Sequence, residues 1–425
     1  MTLAIDGGRP ARRRPFPTLN TIGPEERQAV LEVLDSGVLS QFVGAWGPDF
    51  FGGPRVQALE SEWARYFGSD AAVSMNSATS CLYAAVGAAG VGPGDEVIVS
   101  PYTMSASAAA AIVYGAIPVF ADIDPDTFCL DPASVAERIT DRTRAIIGVD
   151  LFGHPAPWDR LRSVVGGADI VLIEDAAQAP GARADGRFAG TLGDIGVFSL
   201  NYHKTIHSGE GGVAVTNNPV LAERLQMIRN HGEAVVKARG TEDLVNMVGF
   251  NYRMTEIEAA IALQQLRKLE SLVVPRVAAA EYLTKRLAPL PGLTPPLVRP
   301  GVRHGYYVYA VKYDEAVTEV PRGWLVTALK AEGIPVTPGY VEPIYRQPMY
   351  QRGIGFGRHG FPFRLPDGSQ RRYPDGICPV AERMHERELL YLSFLHAGLT
   401  ESDLDDVATA FEKVLTAADR GVSLQ

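Results

Sequence analysis

Two residues in the first half of the chain have types and settings suited to one chemistry. Lys204 lies in FSLNYHKTIHSGEGG, residues 198 to 212, between a strand-like run and a glycine turn. Asp175 closes the apolar run IVLIED upstream of it. An amine so placed condenses with an aldehyde as a Schiff base, and a carboxylate at a strand end holds a ring nitrogen protonated so that the ring accepts electrons. Together these are the needs of pyridoxal 5'-phosphate (PLP). A buried carboxylate with no cationic partner is costly or becomes protonated, and a pyridinium supplies the missing charge. The competing reading of Asp175 is a cap for the next helix.

Further patterns fall in an order that suits the same cofactor. MNSATS, residues 75 to 80, stands at a strand-to-helix turn, where the free amides of a helix N-terminus and a threonine hydroxyl can hold a phosphate dianion. Alone, small polar residues there are ordinary caps. Gln178, one turn beyond Asp175, can donate to the cofactor's phenolate oxygen. Ser199, upstream of Lys204, can reach the phosphate while the lysine reaches the aldehyde, and the glycines of GEGG let the backbone turn beside both. Asn251 and Arg253 precede a capped helix, where a polar pair is by default part of a loop. His203 and His207 have the spacing of a helical metal site, but the carboxylate of HExxH is missing, so no metal is expected.

These side chains must be held by a scaffold. From about residue 55 to 230 the helical pattern RVQALESEWARYFG is followed by the short runs AAVSM, EVIVS, PVFADID, RAIIGVD and IVLIED, alternating with helical patterns. That alternation predicts a parallel sheet with helices on both faces. Thr255 and Glu258 form a capping box at the head of TEIEAAIALQQLRKLE. The proline cluster PLPGLTPP leads to a strand, YYVYAVKY, a helix, PRGWLVTALKAEG, and a last helix, SDLDDVATAFEKVL. Residues 351–374, rich in Gly, Arg and Phe, read as a long loop whose arginines either meet a diphosphate or are solvated. With 425 residues, two domains are expected: a large one over 1–270 with an N-terminal arm over 1–20, and a small one over 271–425.

Composition narrows the function classes. A net charge of -9 argues against a nucleic-acid surface, which needs a basic footprint. The three cysteines are odd in number and far apart, so neither a disulfide framework nor a zinc knuckle is indicated and a reducing cytoplasm fits. The arginines at 9, 12, 13 and 14 are followed by prolines and by no apolar stretch, unlike a secretory signal. The run from Ala106 to Phe120 is too short for a membrane span and is broken by Gly115 and Pro118.

In their joint order, IDGGRPARRRPFP, NSATS, PGDEVIVSPYT, PVFADID, IEDAAQAPGA, FSLNYHKTIHSGEGG, RNHG and NYRMTEIEAA resemble the DegT/StrS family of fold type I PLP aminotransferases. The resemblance implies an α/β fold, with a mostly parallel seven-stranded sheet in an α/β/α sandwich and a smaller C-terminal α+β domain. It implies PLP covalent to Lys204, with Asp175 on the pyridinium, Gln178 on the phenolate, and the Ala78 amide, Thr79 and Ser199 around the phosphate. Asn251 matches a residue that reaches the neighbouring subunit's phosphate, which implies a homodimer with shared sites. Relatives commonly place an aromatic ring over the cofactor where this chain has Met104, with Tyr102 as a substitute ring. A lysine at 204, where a few dehydrating relatives carry histidine, favours transamination. The implied activity transfers an amine from glutamate or glutamine to a keto-sugar or keto-cyclitol, in biosynthesis of an aminosugar or aminocyclitol antibiotic. The alternatives are a PLP-dependent dehydratase or lyase, which needs no stoichiometric amine donor, and a non-catalytic regulator, which would lack Lys204 or Asp175.

Overall fold

The five apolar runs are strands of one sheet. The computed structural model describes residues 2–364 and 368–418, and in it the runs form β1 (Ala71–Met75), β2 (Glu96–Val99), β3 (Ile117–Phe120), β4 (Thr143–Val149) and β5 (Val171–Asp175). Two more, β6 (Ile195–Ser199) and β7 (Gly212–Thr216), complete seven strands in the order β1-β7-β6-β5-β4-β2-β3. Neighbours are parallel except β7, which runs antiparallel to both β1 and β6. The strands are short, apolar and buried on both sides, as expected where helices cover each face.

One face is covered by α3 (Ala78–Ala88), α4 (Ala106–Val113), α5 (Pro132–Arg138), α6 (Trp158–Val165) and α7 (Pro219–Arg229). The other is covered by α2 (Pro54–Phe67) and the first half of α8 (Glu256–Leu287), against which α1 (Pro24–Ser36) also packs. The expected capping box holds: the Thr255 hydroxyl accepts from the Glu258 amide at 3.3 Å, and Glu258 accepts from the Thr255 amide at 2.9 Å.

A second core lies at the other end of α8. There Ala280, Leu283 and Leu287 pack with β9 (Tyr309–Tyr313), β11 (Leu389–Leu392), α9 (Arg322–Ala331) and α10 (Glu401–Ala418). β8 (Leu293–Thr294) and β10 (Thr337–Pro338) complete an antiparallel sheet in the order β8-β9-β11-β10. Thus α8 serves both cores without a break, and residue 270 falls inside it. The N-terminal arm lies on this second unit: Leu3 is buried in its core, and Glu332 accepts from the amides of Ala4 and Ala11, each at 2.8 Å. The long loop is anchored to the first core by Phe363 and Tyr373, packed around Tyr350 and Phe120, while Arg352, Arg358, Arg364 and Arg372 are exposed.

Candidate active site

The sheet brings four chain ends to one edge. β1, β5 and β6 finish there, and the antiparallel β7 begins there, with Gly212 opposite both Met75 and Ser199. Ser77 caps α3 by accepting from the Ser80 amide at 3.0 Å. The amides of Ala78 and Thr79 in the first turn have no intrahelical acceptor. Gly212 lets β7 pass close by, since a Cβ there would stand 2.5 Å from the Ala78 nitrogen. The carboxyl edge of an α/β sheet is where ligands bind. Here it opens into a cavity of about 240 Å³ lined by Ala78, Thr79, Asp175, Gln178, Ser199 and Lys204.

Asp175 is buried and has few donors. The Ser107 hydroxyl donates to its Oδ2 at 2.9 Å and the Ala177 amide to its Oδ1 at 3.2 Å. Burial pushes its pKa up, and Ser107, Ala177 and the Lys204 charge only partly offset this. Lys204 is half-buried; burial pulls its amine down to about 8, against the pull of Asp175. Its segment is closed on itself by the Leu200 amide donating to the Gly211 carbonyl at 2.9 Å and the Ser208 amide to the Leu200 carbonyl at 3.0 Å. Gln178 is fixed at both ends of its amide: Oε1 accepts from the Phe152 amide at 2.8 Å, and Nε2 donates to the Tyr340 hydroxyl at 3.1 Å.

Comparison with known proteins agrees with this geometry. The profile of the DegT/DnrJ/EryC1/StrS aminotransferase family matches residues 20–412. The L-glutamine:2-deoxy-scyllo-inosose aminotransferase of Streptoalloteichus tenebrarius is 37% identical over 432 residues, covering 97% of each chain. This chain belongs to the DegT/DnrJ/EryC1/StrS aminotransferase family. Among solved structures, DesV of S. venezuelae is 33% identical with a TM-score of 0.77, covering 94% of this chain and 95% of that one. The E coli GDP-4-keto-6-deoxy-D-mannose-3-dehydratase with bound PLP is 25% identical with a TM-score of 0.78, covering 94% of this chain and 99% of that one.

As a DegT-family aminotransferase, the protein is a PLP-dependent enzyme of fold type I, and its cavity fits that cofactor. Asp175 makes no ion pair in contact distance among the described residues, so a ring cation is what its burial calls for. Free helix-start amides and Ser199 suit a phosphate, and the Lys204 amine lines the same space. Ala78, Thr79, Met104, Asp175, Gln178, Ser199 and Lys204 are brought together; Asn251 is not, being exposed and accepting from Arg253 Nε at 2.7 Å.

One expectation is corrected. Tyr102 does not substitute for a stacking ring: it is fully buried, and its hydroxyl accepts from the Tyr340 amide at 2.9 Å. Met104 lines the cavity and is 61% exposed. The two histidines part company, His203 lining the cavity and His207 not, and no group of metal ligands occurs among the described residues. Sequence reasoning missed Ser107, Tyr307 and Tyr340. Ser107 had one faint signal, a lone hydroxyl within an alanine-rich helix; the two tyrosines enter from the C-terminal third with no local pattern to mark them.

Proposed function

We propose that this aminotransferase moves an amino group from glutamine or glutamate to a cyclic polyhydroxy ketone, a keto-cyclitol or keto-sugar, in the making of an aminocyclitol or aminosugar natural product. The observation that carries the reading is Lys204 and Asp175 on the walls of one cavity, an amine pulled down to about 8 and an under-donated buried carboxylate. The ketone class draws on the likeness to the S. tenebrarius enzyme, named for L-glutamine and 2-deoxy-scyllo-inosose.

Bound PLP supplies the electron sink that lets a C–H bond beside nitrogen break. The chain's part is positional and electrostatic. Ala78, Thr79 and Ser199 would hold the phosphate, Asp175 would stabilise positive charge on the ring nitrogen, and Gln178 would serve the ring oxygen. Lys204, half neutral near pH 8, would be the base that takes the proton from the carbon on one side of the transferred nitrogen and delivers it to the carbon on the other side.

We assign the working form to a homodimer with shared sites. Asn251 lies outside its own chain's cavity, and Met104 and Tyr202 stand exposed, the first at the cavity and the second beside His203. We assign two domains dividing near residue 270, and a cytoplasmic setting, which the three free buried cysteines suit. No helix among the described residues is long and apolar enough to cross a membrane. The test supplies PLP, L-glutamine and an inosose-type ketone: one amine product should form per donor consumed. Loss of water from the ketone without use of the donor would instead make the protein a dehydratase.

A further inference from the structure

An amine that alternates between a covalent tether and a free base needs a defined place to stand when released. Lys204 Nζ lies 4.7 Å from the centroid of the Tyr307 ring. Tyr307 comes from the segment entering β9, outside the large sheet, and it lines the same cavity. A second cation lies near it. The Arg276 guanidinium, carried in by α8, is buried and makes no ion pair among the described residues. Its Nη1 donates to the hydroxyl of Thr205, the residue after Lys204, at 2.8 Å. Leaving a guanidinium in the interior without a carboxylate costs stability. That cost is borne where the arginine grips the lysine's own backbone neighbour.

We propose that Tyr307 is a positioning residue whose ring face receives the Lys204 amine whenever that amine is not covalently engaged, with the Arg276–Thr205 hydrogen bond fixing the lysine's backbone over that face. The inference rests on Lys204 being the reactive amine. A free lysine side chain has many rotamers to lose. The negative face of an aromatic ring narrows them by attracting the ammonium form. Groups from each neighbouring element bear on that amine: Asp175 from β5 and the Tyr307 face favour its charge, burial opposes it, and His203 and Glu210 of its own segment and Tyr340 complete the wall. Arg276 stands close enough to Tyr307 to pull the phenol's pKa down against burial.

The experiment removes the cofactor from the full-length enzyme and acylates its amines with an N-hydroxysuccinimide ester over a range of pH. Mass spectrometry then follows modification of Lys204, which tracks the neutral amine. The wild-type midpoint should lie near 8. Tyr307→Leu should lower it by about 0.5–1 pH unit, because the ring no longer favours the ammonium form. Tyr307→Phe keeps the face and should restore the wild-type midpoint. A midpoint unmoved in Tyr307→Leu, or shifted equally in Tyr307→Phe, overturns the proposal. Thermal melts check that each variant folds, and Tyr307→Met, of similar length, is read by the same criterion should the leucine variant fail to fold. No substrate is present, so a protein that proves not to transaminate still gives a clear answer on Tyr307.

Discussion

Glu174 and Asp175 are consecutive on β5 and face opposite sides of the sheet, where a buried carboxylate is used in two different ways. Glu174 accepts from the amides of Gly190 at 2.6 Å, Leu192 at 2.6 Å and Gly193 at 2.8 Å. It also faces Asp150, whose Oδ1 accepts from the Ala156 amide at 2.8 Å and Trp158 Nε1 at 3.0 Å. Burial and the neighbouring carboxylate push Asp150 well up, and of the two Asp150 is pushed the further. Its Oδ2 has no hydrogen-bond partner among the described residues. Asp175 has only a hydroxyl, one long amide contact and a lysine across a cavity. A carboxylate saturated by backbone amides clamps a loop to the sheet. One left short of donors beside open space is set to meet a cation.

This contrast predicts that changes on the two sides separate rate from stability. Lys204→Ala should have the largest effect, a loss of turnover of about 10⁴-fold or more with the melting temperature nearly unchanged, read by steady-state assay and calorimetry. Asp175→Asn should follow, at about 10²–10³-fold in kcat, since an amide cannot sustain charge on the ring nitrogen. Glu174→Gln should do the reverse. Turning a carboxylate into an amide sets an N–H₂ against donors, and a urea melt should show about 3 kcal/mol lost while the rate per folded molecule holds. A Glu174→Gln enzyme that is stable but slow would erase the distinction between the two sides.

The pocket side of this comparison was open to sequence reasoning for a physical reason. IVLIED is apolar and bounded, so its strand and its last residue can be read locally, and Lys204 sits against a glycine turn that a surface lysine does not need. The parallel sheet followed from the same runs. Partners set by tertiary packing left no such trace. Ser107 looks like any small residue of α4, and Tyr307 reaches the cavity from beyond α8. Tyr102 misled through its nearness to Met104 along the chain: the turn between β2 and α4 sends one side chain into the core and the other to the cavity mouth. The long helix hid the division of the molecule, because its capping box marks where it starts and nothing local marks which core each turn serves.

Ser107 gives the smallest and most discriminating test. Its hydroxyl favours the ionised form of Asp175, so Ser107→Ala should raise the Asp175 pKa further. The acid limb of the kcat/KM profile, which needs that carboxylate ionised, should move to higher pH. The rate at neutral pH should fall by about tenfold, the value of one hydrogen bond to a charged group. Stability has its own sign. Asp175 holds its proton more tightly in the folded chain than in the unfolded one, so its burial weighs against folding as pH rises through the folded pKa. In the cofactor-free protein Ser107→Ala should therefore melt below wild type at pH 8, and the gap should close towards pH 4, where a protonated Asp175 no longer needs the donor. The same scan on Glu174→Gln should show a deficit that persists at acid pH, because the new NH₂ stands against amide donors that one of the two carboxylate oxygens had served, whatever the protonation of Asp175.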